Sequence, residues 1–128
     1  MYNSTVVTGQ AGTAMVSDNG KGGVTFRNNV FVSTAEGGSP IIDALNTYDH
    51  NLYVGVGAVP ASDARAVTAA PEFLYATPDS PRDLRLRSGS PAIGAGTPVE
   101  NAGPHDYFGN RLYGTTDIGA HQRPDQRP

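Results

Sequence analysis

The sequence has no cysteine, no tryptophan and a single lysine, Lys21. Without cysteine it cannot form a disulfide framework, a thiolate metal site or a cysteine nucleophile. A formal net charge of −3 and the scarcity of lysine argue against a nucleic-acid partner, because phosphate binding requires clustered cations. The apolar runs are only a few residues long, so we expect no membrane span, and the first residues lack the pattern of a signal peptide.

Glycine and proline, by contrast, are abundant. The 16 glycines and 10 prolines make up about 20% of the 128 residues, against about 12% in average proteins. Both residues destabilise helices, and both are frequent in turns. A hydrophobic fraction of 38% and a small net charge argue against a disordered chain. The composition therefore favours one all-β domain with many turns.

Three short stretches share one pattern, in which polar positions containing asparagine lead into β-branched and aromatic residues. With Asn3, Asn28 and His50 taken as equivalent, the offsets between repeats are 25 and 22 residues. This is about the length of one coil in a β-solenoid. The pattern predicts parallel strands from successive coils, with Asn3, Asn28 and His50 in one column at a corner. The three stretches are residues 2–7, 27–32 and 49–54.

Alternation within the strands predicts which face of each strand is buried. One parity set carries most of the aliphatic side chains, and we assign it to the interior. Its members are Thr5, Val7, Val24, Phe26, Val30, Val32, Leu52 and Val54. The opposite parity gives a column that we assign to the outer face, and this column consists of Val6, Phe31 and Tyr53.

Motifs in both halves of the chain resemble a known family. The coil motifs are RNNVF at 27–31 and DHNLY at 49–53, and later motifs include SPAIGAG at 90–96 and DYFGNR at 106–111, closing with DIGA at 117–120. Their order and spacing resemble the C-terminal end of right-handed parallel β-helix proteins of the pectate-lyase-like superfamily, including the choice-of-anchor Q domain. The chain departs from the family pattern at Gly94, His121 and Gln122.

The resemblance implies an all-β, right-handed parallel β-helix end of about three coils with an irregular closure. We expect coils over residues 1–60, a loop or short helix over 61–70, a closing segment over 71–121 and a disordered tail over 122–128. Asp106, Arg111 and Asp117 are expected to fasten the closing segment by ion pairs or by accepting turn amides. Upstream coils or another chain are expected to cover the N-terminal face, since an open solenoid end exposes apolar surface.

Two carboxylates and a histidine are candidates for catalysis. Asp43, Asp49 and His50 lie close in sequence, and a pair of carboxylates held about 5–10 Å apart can hydrolyse a glycosidic bond. The alternative is structural, because aspartate before a corner commonly accepts turn hydrogen bonds and Asp43 also fits a solvent-facing strand position.

The candidates for substrate binding are Arg27, Phe31 and Tyr53. Arg27 can meet an acidic sugar from an outward strand position, and sugar rings stack on aromatic faces such as Phe31 and Tyr53. The alternative for this aromatic column is that the closing segment covers it. No histidine spacing indicates a metal site, and for Ca²⁺ the nearest candidate is the turn at Asp18, Asn19 and Gly20.

The resemblance implies the C-terminal part of a secreted or surface-exposed bacterial protein that binds or processes polysaccharide. In this reading the chain acts as a scaffold and a glycan-contact surface, located outside the cell. One alternative is a polysaccharide lyase or glycoside hydrolase whose active site lies largely on upstream coils or around Asp43, Asp49 and His50. A second alternative is a structural spacer or adhesin stalk, because this fold hosts many activities.

Overall fold

Short strands form at each of the three repeats in the computed structural model, which describes residues 1–10, 12, 14–17, 22–42, 45–75, 80–100, 102–112 and 116–122. The strands are β1 (Thr5–Thr8), β2 (Thr25–Arg27), β3 (Val30–Ser33), β4 (Thr47–Asp49) and β5 (Leu52–Val54). The helical content of the described residues is one 3-10 turn, Pro81–Leu84, which begins at a proline. The protein is therefore all-β, as the composition predicts.

The strands alternate between two parallel sheets. One sheet has the order β1-β3-β5 and the other pairs β2 with β4. Thr5 lies opposite Val30, and Val30 lies opposite Leu52, so the registers reproduce the predicted offsets between repeats. Isolated parallel bridges extend the pairing on both sides of the strands: Tyr2 to Arg27, Val16 to Ile41 and Leu52 to Val67.

The predicted corner column is present. Asn3, Asn28 and His50 have φ angles of 48°, 59° and 57°, in the left-handed region that asparagine tolerates better than most residues. The Asn28 amide donates from Nδ2 to Asn3 Oδ1 at 3.0 Å, which joins two successive corners. Each corner turns the chain from one sheet into the other, because β2 and β3, and likewise β4 and β5, flank such a residue.

The prediction that Phe31 and Tyr53 face outward is wrong. Both rings are buried, with 1% and 2% of their surface exposed, in a cluster with Phe26 and Tyr48 of the other sheet. Phe31 stacks on Tyr53 at 5.7 Å, and Phe26 stacks on Tyr48 at 5.0 Å. The alternation fails at the corner, because a left-handed residue resets the side-chain direction, so Phe26 and Phe31 face the same interior despite opposite parity.

The opposite face of the β1-β3-β5 sheet is covered by the closing segment. Val30, Val32 and Leu52 form a second buried cluster with apolar residues that are distant in sequence: Phe73, Leu86, Ala92 and Ile118. The closing segment therefore lies on the aliphatic side of the strands, and the alternative in which it covers the Phe31 and Tyr53 column is also wrong. The aliphatic face needed this cover because it points away from the aromatic cluster.

Hydrogen bonds to the strands hold the closing segment in place. Gly119 N–H donates to Asn28 O at 2.7 Å, and Ala120 N–H donates to Thr5 Oγ1 at 2.9 Å. The Asn28 side chain accepts from Thr97 N–H at 2.8 Å. One corner asparagine thus contacts both the neighbouring corner and the closing segment.

The end of the closing segment differs from the expected boundary. Gln122, which was expected to belong to the disordered tail, is 1% exposed, and its Oε1 accepts from Asp117 N–H at 2.8 Å. His121 is also buried, and its Nδ1 accepts from Leu86 N–H at 2.9 Å. These two departures from the family pattern are therefore hydrogen-bonded closure residues, while residues 123–128 lie outside the described part of the chain.

Candidate functional site

Three of the predicted site residues come together on the outer side of the β2-β4 sheet. The parallel register places Arg27 directly opposite Asp49, and His50 follows at the corner. Tyr2 is bridged to Arg27 on its other side, so its side chain leaves the sheet in the same direction. We call these four residues, Tyr2, Arg27, Asp49 and His50, the outer row. Asp43 lies outside the described residues.

The Asp49 carboxylate contacts both Arg27 and His50 in the outer row. Its Oδ2 lies 3.3 Å from Arg27 Nε, and its Oδ1 lies 2.7 Å from His50 Nδ1. The side chains of Arg27, Asp49 and His50 are 38%, 33% and 24% exposed, so a ligand can reach them. Tyr2 is 43% exposed and adds an aromatic ring to the row.

The chemistry open to the outer row follows from these groups. The guanidinium of Arg27 has five N–H donors, and its planar fork suits a carboxylate. Asp49 fixes the orientation of the His50 ring, and a carboxylate and imidazole pair is the usual arrangement for moving a proton near neutral pH. The row can therefore bind an acidic or hydroxyl-rich ligand, and it holds one potential acid–base pair.

Phe31 and Tyr53 take no part in this surface. Both rings lie between the two sheets with almost no exposed area. A sugar ring cannot stack on a buried face, so the two aromatic residues predicted for substrate binding serve the core instead. The exposed aromatic residue beside Arg27 is Tyr2, which sequence parity did not single out.

A buried row of hydrogen-bonded polar side chains, the buried polar ladder, supports the corner from inside, and the repeat pattern did not predict it. Asn29 and Asn51 each follow a left-handed corner residue, and Asn29 Nδ2 donates to Asn51 Oδ1 at 3.1 Å. Asp63, which is 6% exposed, ends the ladder and accepts from Asn51 N–H at 3.1 Å. The signal was the pair of asparagines at the same position in two repeats.

Asp63 also fixes His50 and Tyr53. Its Oδ1 accepts from His50 N–H at 3.0 Å, and its Oδ2 accepts from the Tyr53 hydroxyl at 2.7 Å. Burial raises the pKa of Tyr53 well above its ordinary value, and the hydrogen bond to Asp63 raises it further. Tyr53 therefore stays neutral and donates. This closed network positions the His50 backbone for the outer row.

A groove of about 580 Å³ opens near the ends of β3 and β5, away from the outer row. Val32, Val54 and Phe73 contribute apolar surface, and Tyr75 is an exposed aromatic residue beside them. Glu72 and Arg87 lie on two segments joined by the antiparallel bridge of Phe73 to Leu86. The groove is defined by these lining residues: Val32, Val54, Glu72, Phe73, Tyr75 and Arg87.

The acidic residues of the closing segment accept backbone amides, as expected of fasteners. Asp106 Oδ1 accepts from Phe108 N–H and Asn110 N–H, both at 2.8 Å, and Asp117 Oδ1 accepts from Gly94 N–H at 2.7 Å. Arg111 is exposed. No group of three or more potential metal ligands occurs within the part of the chain that the structure describes. The candidate Ca²⁺ turn at 18–20 lies outside it.

No protein-family model matches the chain, and no curated protein sequence matches it either. The described residues also contain no helix long and apolar enough to cross a membrane.

Proposed function

We propose that the chain is the terminal part of a right-handed parallel β-helix protein of the pectate-lyase-like superfamily, and that it contacts polysaccharide outside the cell. What supports the architecture is the alternation of strands between two parallel sheets at offsets of 25 and 22 residues. The closing segment and its cover over the aliphatic face fit a solenoid end. The chain acts as a scaffold that presents the outer row.

The single observation that carries the polysaccharide proposal is the alignment of Tyr2, Arg27 and Asp49 across neighbouring strands. Adjacent parallel strands are about 4.8 Å apart, so the three side chains form a continuous strip on one side of the sheet. Arg27 binds a sugar carboxylate, and Tyr2 packs on a sugar face. Asp49 accepts hydrogen bonds from sugar hydroxyls, and the His50 ring donates to hydroxyls or accepts from them.

Arg27→Gln tests this assignment. We expect oligogalacturonate binding, measured by calorimetry, to weaken about tenfold, because one charge-assisted hydrogen bond is lost. Arg111→Gln is the matched control, since Arg111 is an exposed arginine of the closing segment. Equal affinity of wild type and Arg27→Gln would contradict the proposal, and the absence of all glycan binding would favour the structural spacer.

A second candidate is a polysaccharide lyase or glycoside hydrolase. The observation that favours it is the 2.7 Å contact between Asp49 Oδ1 and His50 Nδ1, which orients an imidazole at a partly exposed position. Release of reducing ends or of unsaturated products from uronate polymers tests it. Turnover that is abolished in His50→Gln and retained in His105→Gln would support the enzyme, whereas no turnover by wild type would exclude chemistry at this pair.

A further proposed partner is a polypeptide segment that covers the exposed edge of β1. The order β1-β3-β5 puts β1 at an edge of the described sheet, where alternate N–H and C=O groups lack strand partners. We propose that upstream coils or another chain pair with this edge. The solution mass and the thermal unfolding of the isolated chain test the idea, and a stable, cooperative monomer would count against it.

A further inference from the structure

The groove has an apolar base of the size that small ligands occupy. Its volume is about 580 Å³, and ligand sites in proteins commonly measure about 300–1,000 Å³. Val32 and Phe73 belong to the buried cluster between the strands and the closing segment, and Val54 packs against that cluster. The base is therefore rigid, because its residues are fixed by the core rather than by a free loop.

Tyr75 gives the groove an exposed aromatic residue. It retains 61% of its surface, although large aromatic side chains usually bury most of theirs. The ring lies among the lining residues, next to an apolar base. An aromatic face of this kind attracts the C–H side of a sugar ring, which is apolar even though its edges carry hydroxyls.

Glu72 and Arg87 supply hydrogen-bonding groups beside that ring. Arg87 N–H donates to Glu72 O at 2.9 Å, so the two residues are neighbours on the bridged segments. Both are exposed, and the described residues give neither side chain a hydrogen bond or an ion pair. Glu72 also has a φ of 54°, a conformation that glycine adopts with less strain. A carboxylate acceptor and a guanidinium donor, neither bonded to another described residue, therefore lie on neighbouring residues of the groove.

These features select a class of ligand. The opposite charges of Glu72 and Arg87 cancel, so the groove has no net preference for an anion or a cation. A paired acceptor and donor match neighbouring hydroxyls, while the apolar base and Tyr75 match a C–H face. We propose that the groove binds one neutral pyranose residue of a polysaccharide. This inference rests on the proposed polysaccharide contact and adds a second site with a different preference from the outer row.

Titration of the isotope-labelled protein with defined oligosaccharides tests the site. The probes are cellohexaose, xylohexaose, mannohexaose and hexagalacturonate, followed by amide NMR shifts and by calorimetry. We expect at least one neutral probe to shift the amides of Phe73, Leu74 and Tyr75. Its affinity should fall about tenfold in Tyr75→Ala and about fivefold in Glu72→Gln or Arg87→Gln, and stay unchanged in Arg27→Gln.

Matched controls separate the groove from general surface effects. Tyr107→Ala removes a tyrosine that is 68% exposed and lies outside the groove, and Glu36→Gln and Arg111→Gln neutralise exposed residues elsewhere. Each control should keep the affinity of wild type. Thermal unfolding of every variant verifies that the fold is retained, so that lost binding reports the groove itself.

Three outcomes would overturn the proposal, and they are distinguishable. If a neutral oligosaccharide still binds to Tyr75→Ala and Glu72→Gln, and uronate binding is lost in Arg27→Gln, the groove proposal is overturned. The proposed function then remains intact. If none of the four oligosaccharides shifts any amide, both the groove proposal and the proposed polysaccharide contact are overturned. Shifts of the groove amides by the zwitterion alanyl-alanine, and by no sugar, would assign the groove to a charged ligand and overturn the sugar class.

Discussion

The strand region, residues 1–67, and the closing segment satisfy their backbone polar groups in different ways. The strand region uses parallel ladders whose partners recur from one repeat to the next. The closing segment has two isolated antiparallel bridges among its described residues, and most of its other backbone hydrogen bonds are single turn or loop bonds, such as Ser90 N–H to Arg87 O. The side chains of Asp106, Asp117 and Gln122 add further bonds to its backbone. The strand region therefore repeats one pairing pattern, whereas the closing segment satisfies its backbone groups with bonds that differ from one turn to the next.

This difference predicts where each region is vulnerable. A substitution on the surface of the parallel sheets leaves the neighbouring backbone hydrogen bonds in place. We therefore expect the strand region to lose stability mainly when a buried residue is substituted. The closing segment packs on the strands through the shared apolar cluster and also through individual close contacts, including Gly119 against Val30 and Thr97 against Asn28. A substitution at one of those contacts should therefore loosen the closing segment while the parallel sheets stay intact.

The largest effect is expected from Asp63→Ala, which removes the end of the buried ladder. The change leaves the N–H groups of His50 and Asn51 and the Tyr53 hydroxyl without their acceptor. We expect the free energy of unfolding to fall by about 4 kcal/mol, because several buried donors become unsatisfied. Urea denaturation measures it, with exposed Glu36→Ala as the control. A loss similar to that of the control would show that the ladder does not support the strand region.

Gly119→Ala should destabilise the closing segment next most strongly. Its φ is 102°, and an added Cβ would lie 2.8 Å from Val30 Cγ2 and 2.9 Å from Thr5 Oγ1. We expect a loss of about 3 kcal/mol from strain and overpacking together. Gly109→Ala is matched, since its φ is 85° with no atom within 4 Å, and should lose only about 1 kcal/mol. Equal losses in thermal denaturation would mean that the close approach is unimportant.

Asn28→Gly distinguishes the two regions at the residue that joins them. Glycine keeps the left-handed corner but removes the amide that bonds to Asn3 and Thr97. We expect the free energy of unfolding to fall by about 2 kcal/mol, because the hydrogen bonds of the Asn28 side chain are lost. Hydrogen exchange should accelerate at Thr97 and Gly119 far more than at Val30 or Leu52. Uniform acceleration across all four amides would instead mean that the regions unfold as one unit.

Tyr53→Phe should cost about 1 kcal/mol at neutral pH, because one buried hydrogen bond to Asp63 is lost. The raised pKa of Tyr53 adds a pH dependence. The unfolded chain releases the phenolic proton near pH 10 while the folded protein keeps it, so stability is full below about pH 10 and falls by about 1.4 kcal/mol per pH unit above it.

Urea denaturation between pH 9 and pH 11 measures this slope. Tyr53→Phe should reduce this slope, and Tyr107→Phe, at an exposed tyrosine, is the control. An unchanged slope in Tyr53→Phe would show that this phenol is not protected by the core.

The smallest effect is expected in the outer row. Asp49→Asn weakens the contacts with Arg27 and His50, but all three side chains are partly exposed and screened by solvent. We expect a loss of about 0.5 kcal/mol that shrinks as salt is added. Thermal denaturation at low and high salt measures it. A loss as large as that of Asp63→Ala would mean that the outer row is structural rather than a binding surface.

Several features followed from the residues themselves. The spacing of Asn3, Asn28 and His50 predicted both the strand register and the corner column, because left-handed corners favour few residue types. Asp106 and Asp117 were correctly predicted to accept turn amides. Of the outer row, Arg27, Asp49 and His50 were predicted as candidates and Tyr2 was not. The contact between Arg27 and Asp49 was not predicted, since they meet through strand pairing rather than through nearness in sequence.

The directions of the side chains and the presence of the groove could not be predicted from residue types and their spacing. Alternation continued through Asn28 predicts the wrong face for Phe31 and Tyr53, because the left-handed corner interrupts the strand. Asp63 lies in a stretch without a repeat, so nothing local marked it as the acceptor of the ladder. The groove needs the bridge of Phe73 to Leu86 and the ends of two strands, which join distant parts of the chain.

The sequence by itself determined the all-β class, the repeat length and the left-handed corners, because each depends on the local conformational preferences of glycine, proline and asparagine. Only the tertiary structure decided which face of the β1-β3-β5 sheet meets the other sheet and which meets the closing segment. Both faces are apolar, so hydrophobicity did not distinguish them. The bend at each corner did, by turning the aromatic side chains of both sheets toward one another.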